Sequence, residues 1–592
     1  MTSSKITIKS GHGIAKFLRD HDVKYIFGIP DGLTLALYEG IRDTEGIEHI
    51  LLNDERNAAF AADAYARITG SLGVCDAGSA GALNFPIALA EAKGSASPVL
   101  ALIGTIKPKK LLRNFPHEIK VAETLKPITK WTEKILDLEN LPRFMAHGIK
   151  KALSGKPGPV ALVISEDVLN SSKLKQKSFN NQVSNNYLIN SYRIVPEDSI
   201  VDQIVEKIIN CKQPALFTGN GAIISGSYEE IAELSTMLKA PVFSTISGKG
   251  IMANNENFEN NFYFGTIGLF GIKPNHRFLK AKVDLLIVVG NRMTEDDTAF
   301  FKYPSQNLEM IQIDVDPSEI GLNYNPLNVI GDPKATLKKI LHKLKQESQE
   351  SRLDFNHEKR DKNINTLKER NINYRNEDRA KWLNSEPIKP QRVLNAISKY
   401  MTGDDYLVTD ASASSRWIGA YFPIKAVGRR IVTPRGVGPT GFGVGALIGT
   451  CYAADAISKN NKKSKKILLT GDGSLMNGGI NELETIAKLG LRCTIVVLNN
   501  HALGYIKFAQ TFIFNRDFYE VDRPDTDFSK IAEAFGGNGF RVEKVDKLDE
   551  VIKNAIQSEG FTIVDVVTDP EEYLPPSYYH HEYLPEIKFA RD

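Results

Sequence analysis

Short apolar runs rich in strand-forming residues recur along almost the whole chain, and stretches with helical spacing lie between them. That alternation is the pattern of parallel α/β layers. Runs at 25–28, 50–52, 99–103 and 160–164 make a first block, and residues 171–195, rich in Ser, Asn, Lys and Gln, read as a linker. A second block opens at 214–217, has runs at 285–289 and 310–313, and fades into a charged stretch over 344–385, expected as an exposed helix followed by a connector. A third block carries runs at 406–408, 467–469 and 494–498. The expected fold is α/β, with three doubly wound parallel-sheet domains over 1–172, 196–345 and 386–592. A length of 592 residues agrees with that count at about 150 residues per domain.

Charge and cysteine usage remove several function classes. With 74 basic and 71 acidic residues the formal net charge is +3, which argues against a nucleic-acid-wrapping surface or an acidic tail. Cys75, Cys211, Cys451 and Cys493 are far apart and form no CxxC pair, so they read as reduced structural thiols. No apolar run approaches the roughly 18 to 20 residues of a membrane helix. The N-terminus shows no signal-peptide apolar region. A cytoplasmic protein that binds neither nucleic acid nor membrane is the expectation.

The third block carries the strongest local signal. Gly471-Asp472-Gly473-Ser474 follows one apolar run and Asn499-Asn500 follows the next, with Ile480, Leu483, Ile486, Ala487 and Leu489 at helical spacing between them. One right-handed crossover puts both turns at the same carboxyl edge of adjacent parallel strands, where ligands of open α/β sheets bind. Asp472, Asn500 and the carbonyl of Ala502 offer hard oxygen donors suited to Mg²⁺. Gly471 and Gly473 let backbone approach a phosphate, and exposed N–H groups favour an anion.

Gly471-Asp472-Gly473, 25 residues, then Asn499-Asn500 resembles the signature of thiamine-diphosphate enzymes of the acetolactate synthase and pyruvate decarboxylase group. The resemblance implies that Asp472, Asn500 and Ala502 hold Mg²⁺ against the cofactor's diphosphate, and that the three domains are pyrimidine-binding, central and diphosphate-binding. It extends through residues 26–32, 156–160 and 409–410 and the glycine run from Gly436 to Gly449, with 126–130 and 482–485 closest to acetolactate synthases. Residues 54–67 are similar to the family's stretch with the activating glutamate, which places Glu55 there, protonating the aminopyrimidine ring. A carboxylate at the start of a buried Ala-rich helix would be expected to have the raised pKa that role requires. Cofactor contacts are implied for Ser412, Gly438, Thr440, Gly471, Gly473, Ser474, Leu503 and Gly504 as well as Glu55. The family also implies an active site shared between subunits, hence a homodimer or homotetramer, and a 2-oxo acid substrate.

The chain departs from the family pattern at several positions. Thr440 stands where a bulky apolar residue usually supports the bent cofactor. Ser412-Ala413-Ser414-Ser415 replaces Gly-Gln-His-Gln, and Pro116-His117-Glu118 replaces Phe-Gln-Glu. His117 is either a proton carrier or a polar loop residue. Ser79 to Asn84 lacks the usual Pro and Thr. Ile506 stands where pyruvate decarboxylases carry a catalytic Glu, which favours a carboligase over a decarboxylase; a 2-hydroxyacyl-CoA lyase and a non-catalytic cofactor-binding relative are the alternatives. Gly436-x-Gly438-x-x-Gly441 followed by Asp455 matches a dinucleotide fingerprint, against which Pro439 counts. Gly219-Asn220-Gly221 invites FAD in the central domain. The tail around Tyr578, Tyr579, His580 and His581 is read as either a cover over the site or an ordinary docked tail.

Overall fold

The computed structural model describes residues 7–175, 179, 193–254, 261–351, 357–458, 464–513 and 516–572. The aromatic tail lies outside them. Three six-stranded sheets, parallel throughout, account for the alternation. The first contains β1 (Tyr25–Gly28), β2 (Glu48–Leu51), β3 (Gly73–Gly78), β4 (Val99–Thr105), β5 (Trp131–Ile135) and β6 (Val160–Ser165) in the order β2-β1-β3-β4-β6-β5. The second contains β7 (Pro214–Thr218), β8 (Val242–Ser244), β9 (Tyr263–Thr266), β10 (Leu285–Val289), β11 (Glu309–Asp314) and β12 (Leu327–Ile330), ordered β9-β8-β7-β10-β11-β12. The third contains β13 (Tyr406–Thr409), β14 (Ile431–Val432), β15 (Lys466–Gly471), β16 (Cys493–Asn499), β17 (Asn538–Val542) and β18 (Phe561–Val567), ordered β14-β13-β15-β16-β18-β17. The first and third sheets thus share one topology, whereas the second has the order of dinucleotide-binding folds. Every residue of β10 and β16 is buried, as expected for parallel strands covered on both faces.

The helices that position the site are α1 (Glu55–Thr69), α2 (Pro86–Gly94), α3 (His357–Trp382), α4 (Ala413–Tyr421), α5 (Phe442–Ile457), α6 (Asp472–Met476), α7 (Glu482–Lys488) and α8 (Gly504–Ile513). The Ala-rich α1 packs directly on α5. A Cβ at Gly449 would run into the backbone of Ala61, and one at Gly445 would lie 2.8 Å from the Asn57 carbonyl oxygen. Phe60 and Phe442 meet edge to face at 5.1 Å. One continuous apolar core therefore runs from Phe27 and Ala62 through Leu447 to Ile495, joining the first and third sheets. Asn57 donates to the Gly478 carbonyl and to Glu482, and Asn53 donates to Glu482 and Glu484, fixing the start of α1 over the segment that precedes and opens α7.

Two sequence expectations need correction. Part of the expected linker is structured: Leu174–Lys175 pairs antiparallel with Thr7–Ile8, and Arg193 bonds to Ser225 and Asp332. The charged stretch expected as an exposed helix followed by a connector contains the 26-residue α3, which is not exposed all round but buries Arg360, Ile364, Leu367, Asn371, Asp378 and Trp382. Its polar composition hides it because part of the buried face is itself polar. Arg360, 1% exposed, donates to the carbonyls of Cys211, Lys212 and Leu238.

Replacing Arg360 by Met leaves those buried carbonyls without their donor. The expected outcome is a loss of about 3 kcal/mol or more, read as a lower urea midpoint for the central-domain transition.

Candidate cofactor site

In the third sheet the strand order reverses between β13 and β15, and a crevice opens there at the carboxyl ends of the strands. It holds a cavity of about 870 Å³. Ser412 enters it from the end of β13, Gly471, Asp472, Gly473 and Ser474 from β15 and the start of α6, and Asn500, Ala502, Leu503 and Gly504 from the end of β16. Strands β15 and β16 are neighbours, with Leu468 opposite Ile495 and Gly471 opposite Leu498, so both turns reach the same edge.

Asp472 is 4% exposed and its Oδ2 has no hydrogen-bond partner. Burial pushes its carboxyl up to about 6, against the pull of the Gly473 N–H and of Arg523, whose Nε lies 3.8 Å away. A buried carboxylate oxygen without a donor is costly unless a cation completes it. Among the described residues no group of three His, Cys, Asp or Glu side chains is arranged for a metal. One carboxylate, one amide and one carbonyl fit Mg²⁺, whose remaining positions go to phosphate and water. The two asparagines divide their work. Asn499 is buried and donates to Asp565 and the Thr526 carbonyl, while Asn500 faces the cavity. Gly504 leaves Asn500 its room, since a Cβ there would lie 2.5 Å from Asn500 Nδ2. The Leu503 N–H donates to the Val521 carbonyl, and its side chain is 40% exposed in the cavity.

His117 (69°), Ser412 (66°) and His501 (52°), at or beside predicted site residues, hold positive φ, as do Leu112 and Asn114 in the loop of His117. Ser412 faces the cavity, whereas the hydroxyls of Ser414 and Ser415 donate to backbone carbonyls of their own turn. Thr440 lines the cavity and accepts from Asn477 Nδ2 through both its carbonyl and its hydroxyl oxygen.

Residues to which the sequence reading gave no role hold this cleft in shape. Asp410, fully buried, accepts the N–H groups of Ala411, Gly441 and Gly443 and so caps the start of α5; burial pushes its carboxyl up to about 6. Glu91, at 0% exposure on α2, accepts the N–H groups of Gly436, Val437 and Gly438 at 2.8 to 3.1 Å. Arg67 joins Glu91 to Asp63 and donates to the Thr433 carbonyl. Burial pushes Glu91 up, but Arg67 and the Val437 and Gly436 N–H groups more than offset this and hold it below the usual carboxylate range. The glycine loop is thus filled by the protein's own carboxylate. Asp455 lies inside α5 and pairs with Lys466 rather than ending a second strand, so the dinucleotide fingerprint has no structural counterpart.

Glu55 and His117 stand apart from this cavity. Glu55 opens α1, is half-buried, and accepts from Asn84 Nδ2 at 2.9 Å beside Gly81. The enclosure expected around it is not supplied within one chain. The His117 carbonyl accepts from the Ser79 hydroxyl at 2.9 Å, and its buried Nδ1 has no hydrogen-bond partner. Glu55, Gly81 and Ser79 gather at the carboxyl edge of the first sheet, the equivalent of the Asp472 edge in the third. A second cavity, of about 510 Å³, lies at the switch point of the central sheet between the turns at Gly219 and Gly290, with Asp314 at the end of β11 on its wall.

The chain matches the family models described as "Thiamine pyrophosphate enzyme, N-terminal TPP binding domain" over 8–124, "Thiamine pyrophosphate enzyme, central domain" over 201–340 and "Thiamine pyrophosphate enzyme, C-terminal TPP binding domain" over 410–566. It is 30% identical over 584 residues to a probable acetolactate synthase large subunit of Methanocaldococcus jannaschii, covering 96% of this chain and 93% of that protein. The chain belongs to the thiamine pyrophosphate enzyme family. A probable acetolactate synthase large subunit of Methanococcus aeolicus is 28% identical over 96% of this chain and 93% of its own length. The acetolactate synthase isozyme 3 large subunit of Escherichia coli is 27% identical over 95% of each. Within the family the chain is thus a thiamine-diphosphate-dependent carboligase of acetolactate synthase type. No helix among the described residues is long and apolar enough to cross a membrane.

The Glu91 clamp makes stability depend on acid. Its lowered pKa means that its contribution is complete above the unfolded value of about 4.5 and is lost as the pH falls through the folded value below it. Urea unfolding of wild type and Glu91→Gln is expected to differ by about 2 to 4 kcal/mol at neutral pH. The gap should close below pH 4.5.

Proposed function

We propose that the protein decarboxylates a 2-oxo acid and joins the remaining acyl carbon to a second carbonyl compound, with pyruvate as donor and pyruvate or 2-oxobutyrate as acceptor. The observation that carries this reading is the buried Oδ2 of Asp472, without a hydrogen-bond donor, beside Asn500 at the switch point, in a chain similar over nearly its whole length to acetolactate synthases. Asp472, Asn500 and the Ala502 carbonyl would hold Mg²⁺ at the place of the cofactor's diphosphate. Ser412, Gly471, Gly473 and Ser474 would receive the diphosphate, while Gly438, Thr440, Leu503 and Gly504 shape the rest of the cleft. When bound, thiamine diphosphate supplies a carbon nucleophile and the electron sink for decarboxylation.

The residues of the chain do the rest. Glu55 would hold a proton toward the aminopyrimidine ring of the bound cofactor and so serve to activate it. Because Glu55 lies outside the Asp472 cavity of its own chain, a second copy delivers it, which requires a homodimer or homotetramer. His117, near the same edge as Glu55, carries protons to the product. In the overall reaction the donor's bond to its carboxylate carbon breaks and CO₂ leaves. A new carbon–carbon bond forms to the acceptor, whose carbonyl oxygen takes up one proton. The central cavity, with its dinucleotide-type strand order and Asp314 at a strand end, is the place for FAD if the protein carries it; absorption in the flavin bands decides this.

Glu55→Gln should lower turnover about 10² to 10⁴-fold while Mg²⁺-dependent cofactor binding persists. The decisive measurement supplies thiamine diphosphate, Mg²⁺ and a panel of 2-oxo acids and identifies products by mass. CO₂ release without any condensation product would refute the carboligase reading, and unchanged turnover in Glu55→Gln would refute its role.

A further inference from the structure

The segment that follows α8 comes back to the turn after β16. The Leu503 N–H donates to the Val521 carbonyl, the Arg523 N–H donates to the His501 carbonyl at 2.8 Å, and Ala502 forms an antiparallel bridge with Asp522. This pairing fixes Arg523 beside the turn that carries Asn500. The Arg523 side chain then crosses the Gly471-Asp472-Gly473 turn, since a Cβ on Gly473 would lie 3.8 Å from its Cδ and 4.0 Å from its Nε. It lines the cofactor cavity, is 27% exposed, and brings Nε to 3.8 Å from Asp472 Oδ2. At that distance the two form an ion pair without a hydrogen bond. Of the neighbouring acids, Asp522 binds Lys507 at 2.8 Å and Asp525 binds Arg541 at 2.7 Å.

Two kinds of cation therefore compete for one buried carboxylate oxygen. A divalent ion satisfies it by direct coordination, whereas Arg523 only balances its charge across a gap. Like charges repel, so a metal ion on Asp472 displaces the guanidinium from it. A planar guanidinium released at the edge of this turn matches a terminal phosphate, whose oxygens accept its parallel N–H donors in pairs. A diphosphate ester also carries more negative charge than one divalent ion beside Asp472 can cancel, which leaves work for a further cation.

We propose that Arg523 couples the loading of metal and cofactor: it is the counter-ion of Asp472 before loading, and it turns to the terminal phosphate of thiamine diphosphate once a divalent ion takes Asp472. The inference rests on the reading of Asp472, Asn500 and Ala502 as the metal site. Arg523 then opposes binding of the metal alone and favours binding of the metal with the diphosphate. Each ligand thus promotes the other through one side chain.

The test uses the full-length protein freed of metal and cofactor, with Mn²⁺ as the probe of the oxygen-donor site. Mn²⁺ binding alone is read by electron paramagnetic resonance of the free ion. Thiamine diphosphate binding at saturating Mn²⁺ is read by calorimetry. In Arg523→Gln, Mn²⁺ alone should bind severalfold more tightly than in wild type, while thiamine diphosphate should bind at least tenfold more weakly. Arg523→Lys keeps the charge, so it should leave binding of Mn²⁺ alone unchanged and recover part of the affinity for thiamine diphosphate. A gain in metal affinity cannot come from damage to the fold. Any other pattern in Arg523→Gln, including no change in either affinity or a shift of both in one direction, would overturn the inference. Asp472→Asn reports the metal site itself and should abolish Mn²⁺-dependent cofactor binding. If it does not, the reading of the site fails, which is distinguishable from failure of the role given to Arg523.

Discussion

Gly445 and Gly449 let α5 lie directly on α1, backbone against side-chain-free backbone, and most of the architecture follows from that contact. It merges two sheets of identical strand order into one apolar core. It also brings Arg67 and Glu91 of the first domain against the loop that opens α5. A larger side chain at either glycine would separate the helices and, with them, the carboxylate from the loop. The geometry of the cofactor cleft is thus set partly from a different domain, through packing.

Three buried carboxylates of this region differ in one respect, the supply of donors. Glu91 has a guanidinium and three backbone N–H groups and stays charged. Asp410 has backbone N–H groups alone, and burial raises it. Asp472 has an oxygen with no donor at all. Buried polar groups are normally satisfied, so an unsatisfied one marks where something from outside belongs. On that criterion Asp472 separates itself from its neighbours without reference to any motif.

Where sequence and structure agree, the information was local. The apolar runs at 25–28 and 285–289 coincide with strands, because residues buried on both faces need no partner pattern to be recognised. The Gly-Asp-Gly and Asn-Asn turns were legible because one crossover fixes their relation. The stretch holding α3 was expected as an exposed helix and a connector, because the helix is polar nearly all round, with Arg360, Asn371 and Asp378 on its buried side. Glu91 was invisible because its partners lie 345 residues away, and nothing at position 91 announces a carboxylate meant for three distant amides. Glu55 was found by resemblance to a known stretch, and its surroundings within one chain do not by themselves mark it.

The clamp between Glu91 and the glycine loop has a consequence for how the chain is made. The first domain emerges from the ribosome long before the loop it must hold, and domains generally fold in that order. Until residues 436–438 arrive, Glu91 has only Arg67 and Ser95 of its own domain as partners, and α1 presents a face of small side chains with no α5 to cover it. Final closure of the first domain is therefore a late event that depends on the third. The two behave as one folding unit interrupted by the central domain, with the long-range contacts that slow the search for the native state.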